Sequence, residues 1–427
     1  METSKNTSVL NIPAFWKAQQ KDWRVTVVRT SLERLGYKMI LPYLTLYIIL
    51  LGATKTQYGL VNSFGMIMGG ILAPIIGGII DKNGPKKVYV FGIFVLIGGY
   101  LALAAAKIWH VAAFGVFLHA MGNRLSIQSC STICGNCLAN EDRSKGMLVC
   151  ESLAAGVLGM IGPMIAGWVL VNMMGVTGTP TDPNPIRPLF AIALVLTIIS
   201  LFIVIFGLSF KSWSTGKQRA NSNMFKDGLD IIRADKNCRK WLLISAVAGM
   251  PMSLVTPYVQ VFAAEAKGAD AATLAGMVTA TALTSVLCGY FLGVLSDRHG
   301  RKPVLFFTIG MYLLGIVLLI TTKRVPLLLL VGMLQGFQEI GATVAGSISH
   351  ELVPHRLMGR WIGASGMFTS LFGAFMAAIS GIVYDQIGGK WLFIIYIVCE
   401  LAIRIPLLAS MPETLVTPVD ESKFEHI

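Results

Sequence analysis

The sequence predicts an all-α membrane protein, with twelve transmembrane helices arranged as two pseudo-symmetric six-helix bundles. Three observations carry that prediction. Apolar runs of 20 or more residues follow one another almost without interruption between residues 24 and 410, and a helix of about 20 apolar residues crosses the hydrocarbon core of a bilayer. Of the 427 residues 54% are hydrophobic and only 13% charged, with a mean hydropathy of +0.68, whereas soluble chains carry roughly 25% charged residues. A basic motif, Gly77-Gly-Ile-Ile-Asp81-Lys82-Asn-Gly84-Pro-Lys86-Lys87, returns 216 positions later as Gly293-Val-Leu-Ser-Asp297-Arg298-His-Gly300-Arg301-Lys302. Each copy sits between two apolar runs, so each is a tight basic turn between two spans of a duplicated unit.

The elements follow in order. Residues 1–23 are polar and mixed, carry no cleavable signal peptide, and end in Lys17, Lys21 and Asp22 ahead of span 1. Spans 1 to 6 are expected near 24–51, 56–80, 88–107, 110–137, 146–174 and 187–210, and spans 7 to 12 near 241–264, 272–296, 303–322, 326–352, 360–384 and 391–410. The first motif copy separates spans 2 and 3, and the second separates spans 8 and 9. The loop Asn140-Glu-Asp-Arg143-Ser-Lys145-Gly146 follows span 4, and Pro354-His-Arg356-Leu-Met-Gly359-Arg360 follows span 10. Only residues 211–240 form a long connection. They are basic and polar, and Met224–Lys236 has the pattern of a surface amphipathic helix. The expected units are therefore an N-terminal bundle over 1–210, a cytoplasmic linker over 211–240, and a C-terminal bundle with a short tail over 241–427.

The net charge of +13 does not mark a nucleic-acid partner, because its distribution follows topology. With both termini cytoplasmic, the segments on that side hold 23 Lys and Arg. The opposite side holds seven: Lys55, Lys107, Arg187, Lys267, Lys323, Arg324 and Lys390. This is the positive-inside asymmetry. The seven cysteines lie in or beside spans, so no disulfide framework is expected.

The repeat continues beyond the motif. Leu41-Pro42-Tyr43 in span 1 answers Thr256-Pro257-Tyr258 in span 7, and Gly122 in span 4 answers Gly336 in span 10. With these residues in place, the chain resembles the major facilitator superfamily over essentially its whole length. The paired loops are similar to the signature Gly-x-Leu-Ala-Asp-Arg-x-Gly-Arg-Lys between spans 2 and 3 of that family, the second copy more closely. The resemblance implies a secondary transporter working by alternating access, its substrate site near the midplane between the halves. It also implies a conformational role for the loop residues Gly77, Asp81, Lys82, Gly84 and Lys86, for Asp297, Arg298, Gly300, Arg301 and Lys302, and for Arg143 and Arg356. A carboxylate at a helix end facing cations gains from both the dipole and ion pairing; the bland reading is that the cations only satisfy topology.

Charges deep inside a span each cost about 2.5–3.5 kcal/mol on insertion scales, so they face a cavity or a partner. Span 1 carries Arg29, Glu33, Arg34 and Lys38, with Arg29 and Glu33 four apart and Arg34 and Lys38 four apart. Each pair shares a face. Arg24 and Arg29 lie near enough to the cytoplasmic end to snorkel, and Lys38 lies near mid-span, as a cavity residue or in an ion pair with Glu33 or a neighbouring helix. Span 4 adds Asn123, Arg124 and Gln128, and span 10 adds Gln335, Gln338 and Glu339. Helices 1, 4, 7 and 10 line the cavity in the resembling family. The substrate-binding candidates are therefore Lys38, Arg34, Arg124, Tyr37, Asn123, Gln128, Tyr258, Gln335 and Gln338, and the coupling candidates are Glu33, Glu339 and Arg29. Glu339 either balances Arg124 across the pseudo-twofold axis or carries a proton. Glu400 and Arg404 in span 12 read as a structural pair.

Two departures from the drug/proton antiporter branch bear on substrate. Its span-4 arginine position is Leu118 here, and where some members place an acid in span 1 this chain has Lys38. The span-5 run Gly159-Met-Ile-Gly162-Pro163-Met-Ile-Ala166-Gly167 resembles that branch's glycine-proline motif only loosely, and glycine faces also serve ordinary helix packing. If all five charges face the cavity it is slightly positive, which favours small anionic or zwitterionic organic solutes, with proton or other ion coupling open. The alternatives are a multidrug/proton antiporter, a non-transporting receptor or scaffold, and a soft-metal carrier using Cys130, Cys134 and Cys137 near His119. No nucleotide-binding or protease motif is present. The expectation is a monomeric, multi-pass protein of a prokaryotic cytoplasmic membrane, in contact with lipid, with no cofactor, no metal, no nucleic acid and no enzymatic activity.

Overall fold

The structure, a computed structural model, describes residues 12–138, 155–209, 230–322, 324–354 and 357–414. Among these residues the secondary structure is helical, and nine helices are long and apolar enough to cross a membrane. Three further crossings are not among the nine: the second, Lys55–Asn83, and the two that hold the polar residues, the first with Arg29, Glu33, Arg34 and Lys38 and the fourth with His119, Asn123, Arg124 and Gln128.

In chain order the N-terminal half comprises Lys21–Ile40 continued by Leu44–Leu50, Lys55–Asn83, Pro85–Ala105, Trp109–Cys137, Ala155–Trp168 and Arg187–Gly207. The C-terminal half comprises Lys236–Ala248 continued through Pro251–Val255 to Thr256–Lys267, then Ala271–His299, Arg301–Thr321, Leu327–Glu351, Met358–Gln386 and Gly389–Ala409. The expected surface helix over 224–236 and the loop residues Arg143 and Arg356 lie wholly or partly outside the described residues.

The first helix of each half is interrupted partway across, each time close to a proline of the repeat. Span 1 breaks into turns at Leu41–Tyr43, and span 7 widens into a π-helical turn over Pro251–Val255. Pro42 and Pro257 each lack the N–H that a regular turn would use, so the backbone ladder cannot run through. Further π turns occupy Val169–Met173 in span 5 and Glu400–Arg404 in span 12; such turns gather at functional positions in helices.

Small residues let neighbouring helices approach closely. A Cβ added to Gly162 of span 5 would lie 2.7 Å from the Leu35 carbonyl oxygen and 3.0 Å from the Met39 nitrogen of span 1. Gly99, Gly115 and Gly122 join spans 3 and 4 in the same way. The loose glycine motif of span 5 is thus a packing face. Gly162→Leu is expected to cost about 1–3 kcal/mol through overpacking, read as a lower melting temperature. Gly77→Leu is the control, because nothing lies within 4 Å of a Cβ there.

Among the described residues the halves meet over one end of the molecule, the end of the helices remote from both termini (the distal end). From mid-membrane outward, a Cβ added to Gly70 would lie 3.0 Å from Ser370 Cβ, one added to Gly59 would lie 2.6 Å from the Ala377 carbonyl oxygen, and one added to Gly381 would meet Lys55 and Thr56, so these glycines let spans 2 and 11 close on each other. Gly156 packs on Val286 and Gly167 on Ala275, joining spans 5 and 8. Tyr43 donates to the Ala271 carbonyl at 2.6 Å and Thr179 to the Ala269 carbonyl at 2.9 Å. Toward the other, proximal end, Gly77, Gly78, Gly293, Gly346 and Gly366 have nothing within 4 Å of an added Cβ, and Tyr290 and Phe291 are 66% and 72% exposed. The described arrangement is closed distally and open proximally.

Candidate functional site

Lys38 and Glu339 form the centre of the site. The last turn of Lys21–Ile40 carries Lys38, and its stem passes Gly159 of span 5, where a Cβ would lie 3.7 Å from Cγ. Its Nζ donates to Glu339 Oε1 at 3.1 Å across the boundary between the halves. The side chains are 18% and 44% exposed, so the pair faces the open space. Span 1 thus offers a cation and span 10 an anion at one depth, close to where the helices begin to touch.

Of the readings open for Glu339, the balance with Arg124 is corrected by this geometry, and Lys38 pairs with neither Glu33 nor any other span-1 acid. The reason is angular. Arg124 lies on the face of span 4 turned toward span 2, its Nε 3.0 Å from a Cβ position on Gly69, and it is exposed. Lys38 instead points past span 5 to span 10. Gln335 sits one turn before Glu339, with a buried Nε2 that has no hydrogen-bond partner among the described residues. Gln338 and Asn123 are half-buried, as is Gln128.

A second polar group lies inside the N-terminal half. Arg29 is 2% exposed, and its guanidinium carbon sits 4.9 Å from the centroid of the Tyr89 ring. The expected snorkelling of Arg29 is therefore corrected: span 3 covers it. Glu33 is buried as well, at 7% exposure. Tyr37 stacks on His119 with ring centroids 5.2 Å apart, and Tyr100 Oη lies 3.2 Å from His119 Nε2. Arg34 is half-buried, with an Nε unpartnered among the described residues. His119 is thus held by aromatic neighbours, and among the described residues no group of three or more His, Cys, Asp or Glu could hold a metal ion.

Tyr258, expected at the substrate centre, is fully buried and donates to the Lys55 carbonyl at 3.0 Å. It belongs to the distal seam.

The motif residues make their described contacts within each half. Lys86 is buried and donates to the Ile205 and Leu208 carbonyls at 2.9 and 2.6 Å, closing the end of span 6. Arg301 pairs with Asp297 and with Glu351 of span 10, the latter at 3.0 Å. The backbone nitrogens of Arg301 and Lys302 donate to Glu413 at 2.8 and 3.0 Å, which caps span 9. Gly84 and Gly300 adopt φ of +80° and +108°, which only glycine takes without strain. Gly77 faces open space, and Lys82 and Arg298 are exposed. The helix of span 2 runs through Asp81.

Many apolar crossings, paired half-chains and an ion pair spanning their boundary define a multi-pass membrane carrier, a protein that moves solutes and is not an enzyme. This chain belongs to the Major Facilitator Superfamily, whose profile matches residues 30–276 and 241–422. The multidrug resistance protein MdtG of Escherichia coli O1:K1 is 23% identical over 320 residues, 70% of this chain and 71% of that protein. Among solved structures, the D-xylose–proton symporter superposes with a TM-score of 0.72 at 12% identity, covering 93% of this chain and 99% of that one. The nucleoside transporter NupG superposes at 0.66 with 16% identity, over 91% and 98% of the two chains. The human organic anion transporter MFSD10 superposes at 0.63 with 15% identity, over 91% and 99%.

Proposed function

We propose that this chain is a secondary transporter of small organic solutes, anionic or zwitterionic, whose substrate carboxylate takes the place of Glu339 on Lys38. The observation that carries the reading is the Lys38–Glu339 ion pair at 3.1 Å, which joins the halves and faces the opening. A substrate carboxylate competes with Glu339 for the ammonium group, and a zwitterion also offers its own cation to the displaced Glu339. Charge-assisted bonds of this kind are roughly twice as strong as neutral ones. A proton delivered to Glu339 would release Lys38 in the same way, which is how a proton gradient would couple to substrate movement. Arg34, Gln335 and Gln338 supply further polar contacts in this reading, and Arg124 adds positive potential from span 4.

The rest of the reading follows the family. Units 1–210 and 241–427 move against each other as a monomer about the linker 211–240, in the cytoplasmic membrane with both termini cytoplasmic. The described state is then open to the cytoplasm. Binding of a substrate that fits both faces would let the proximal ends close.

A thermal-shift screen of the purified protein tests the substrate class. Organic anions or zwitterions are expected to raise the melting temperature by mass action, and Lys38→Ala should abolish that shift. Stabilisation by lipophilic cations alone would overturn the reading. It would favour the second one, export of lipophilic compounds, which the similarity to MdtG across 70% of the chain supports.

A further inference from the structure

The residues that hold the distal end shut were not among the sequence candidates, apart from Tyr258, and one of them does unusual work. Span 2 begins with Thr54 as its N-cap. The Thr54 side chain accepts from the Gln57 nitrogen, and the Gln57 side chain accepts from the Thr54 nitrogen. This reciprocal cap leaves the Thr56 N–H without a partner in its own helix. Asp385, in the last turn of span 11 in the other half, fills that place. Its Oδ2 accepts from the Thr56 nitrogen at 2.8 Å and from Thr56 Oγ1 at 2.7 Å.

Other contacts surround it. Lys55 Nζ lies 3.1 Å from Glu265 Oε1 at the end of span 7. Tyr384 donates to Glu265 Oε2 at 3.3 Å and stacks on Tyr258, with centroids 5.2 Å apart. The backbone carbonyl of Lys55 accepts from Tyr258, and Gly381 leaves no room for a side chain against Lys55 and Thr56. Three C-terminal-half residues, Tyr258, Glu265 and Asp385, thereby grip one helix start of the N-terminal half, with Tyr384 packed behind the first two.

We infer that Asp385 is the positioning residue of a distal latch: it completes the cap of span 2 only while the distal end is closed, and so biases the carrier toward the proximal-open state. The exposed Lys55–Glu265 pair contributes little by itself, because water competes with such a pair. The Asp385 carboxylate gains more, since it meets both an orphan backbone donor and the positive end of a helix dipole. Opening the distal end strands the Thr56 N–H and separates the charge from the dipole. A contact made in one state alone shifts the balance between states by its full strength.

Hydrogen–deuterium exchange of the whole protein in lipid nanodiscs, read by mass spectrometry, tests this. In Asp385→Ala, exchange over 54–60 and 377–386 should rise about tenfold, matching a tenfold population shift. Exchange over 75–87 and 290–301 should fall at the same time, because those ends approach when the distal end opens. Asp385→Asn, which can still accept the bonds but lacks the charge, should lie between wild type and alanine. Unchanged distal exchange overturns the inference, as does a distal rise without proximal protection, which would mean fraying of span 2 alone. If the alanine variant does not fold, Asp385→Asn and Glu265→Gln must show the same reciprocal pattern in smaller measure, and its absence in both overturns the inference.

Discussion

Lys38→Ala and Glu339→Gln are expected to change substrate handling in opposite directions. Removing the Lys38 ammonium takes away the cation that meets the substrate carboxylate. A hydrogen bond to a charged group is worth about 1.5–3 kcal/mol net, so KM for an anionic or zwitterionic substrate should rise about 10- to 100-fold. Glu339→Gln leaves Lys38 in place and removes its internal competitor at 3.1 Å. Binding measured by calorimetry should tighten severalfold, while accumulation against a gradient in proteoliposomes falls, because the exchange between Glu339 and substrate is lost. If the pair serves only to hold the halves together, Glu339→Gln does not tighten binding and both substitutions shift substrate affinity in the same direction, an outcome that excludes the proposed role. The double exchange Lys38→Glu with Glu339→Lys sharpens the test. It restores an ion pair across the halves but moves the cation to span 10, so a fold that survives with anion transport lost assigns Lys38 to the substrate.

Glu400→Ala should be strongly destabilising. Glu400 is fully buried and Arg404 is 3% exposed, and Arg404 Nη1 donates to both carboxylate oxygens at 3.0 and 3.2 Å. The pair lies within the π turn Glu400–Arg404 of span 12. Breaking a buried pair from one side costs about 3–5 kcal/mol, because it leaves an uncompensated charge, whereas replacing both partners by apolar groups of similar volume is often neutral. Thermal or denaturant unfolding should therefore show a large loss for Glu400→Ala and near wild-type stability for Glu400→Leu with Arg404→Met. Equal losses in the single and double variants would mean that the π turn itself needs the charges. This pair was legible from its i,i+4 spacing in an apolar run, where Arg404 is the one opposite charge on that face of the helix.

The cross-half contacts were not legible in that way. Spacing on span 1 shows that Arg34 and Lys38 share a face, and it equally allows Lys38 to meet Glu33, Arg124's span or span 10. Which partner it finds depends on the rotation of span 1 against span 5, set by the close approach of Gly162 to Leu35 and by the gap at Gly159. The burial of Arg29 was hidden for the same reason: its depth along the span allowed snorkelling, and only the position of Tyr89 on span 3 removed that option. Asp385 carried no signal at all. A single acid before Gln386 and the Gly388-Gly389 turn reads as an ordinary span end, and its work depends on a helix start more than 300 residues earlier in the chain.

The paired loop motifs carried the resemblance to the family, and the sequence alone determined the membrane class, the duplicated plan and the set of charges that a bilayer would force toward partners. These are properties of composition, period and repeat spacing, which act locally and do not depend on how helices rotate. Only the tertiary structure decided which charges meet, which end is closed and which residues close it. Those outcomes turn on ångström-scale approach between helices from different halves, set by the glycines at their contacts and by the proline and π breaks in spans 1 and 7. A one-dimensional pattern lists those residues without saying which surfaces they bring together.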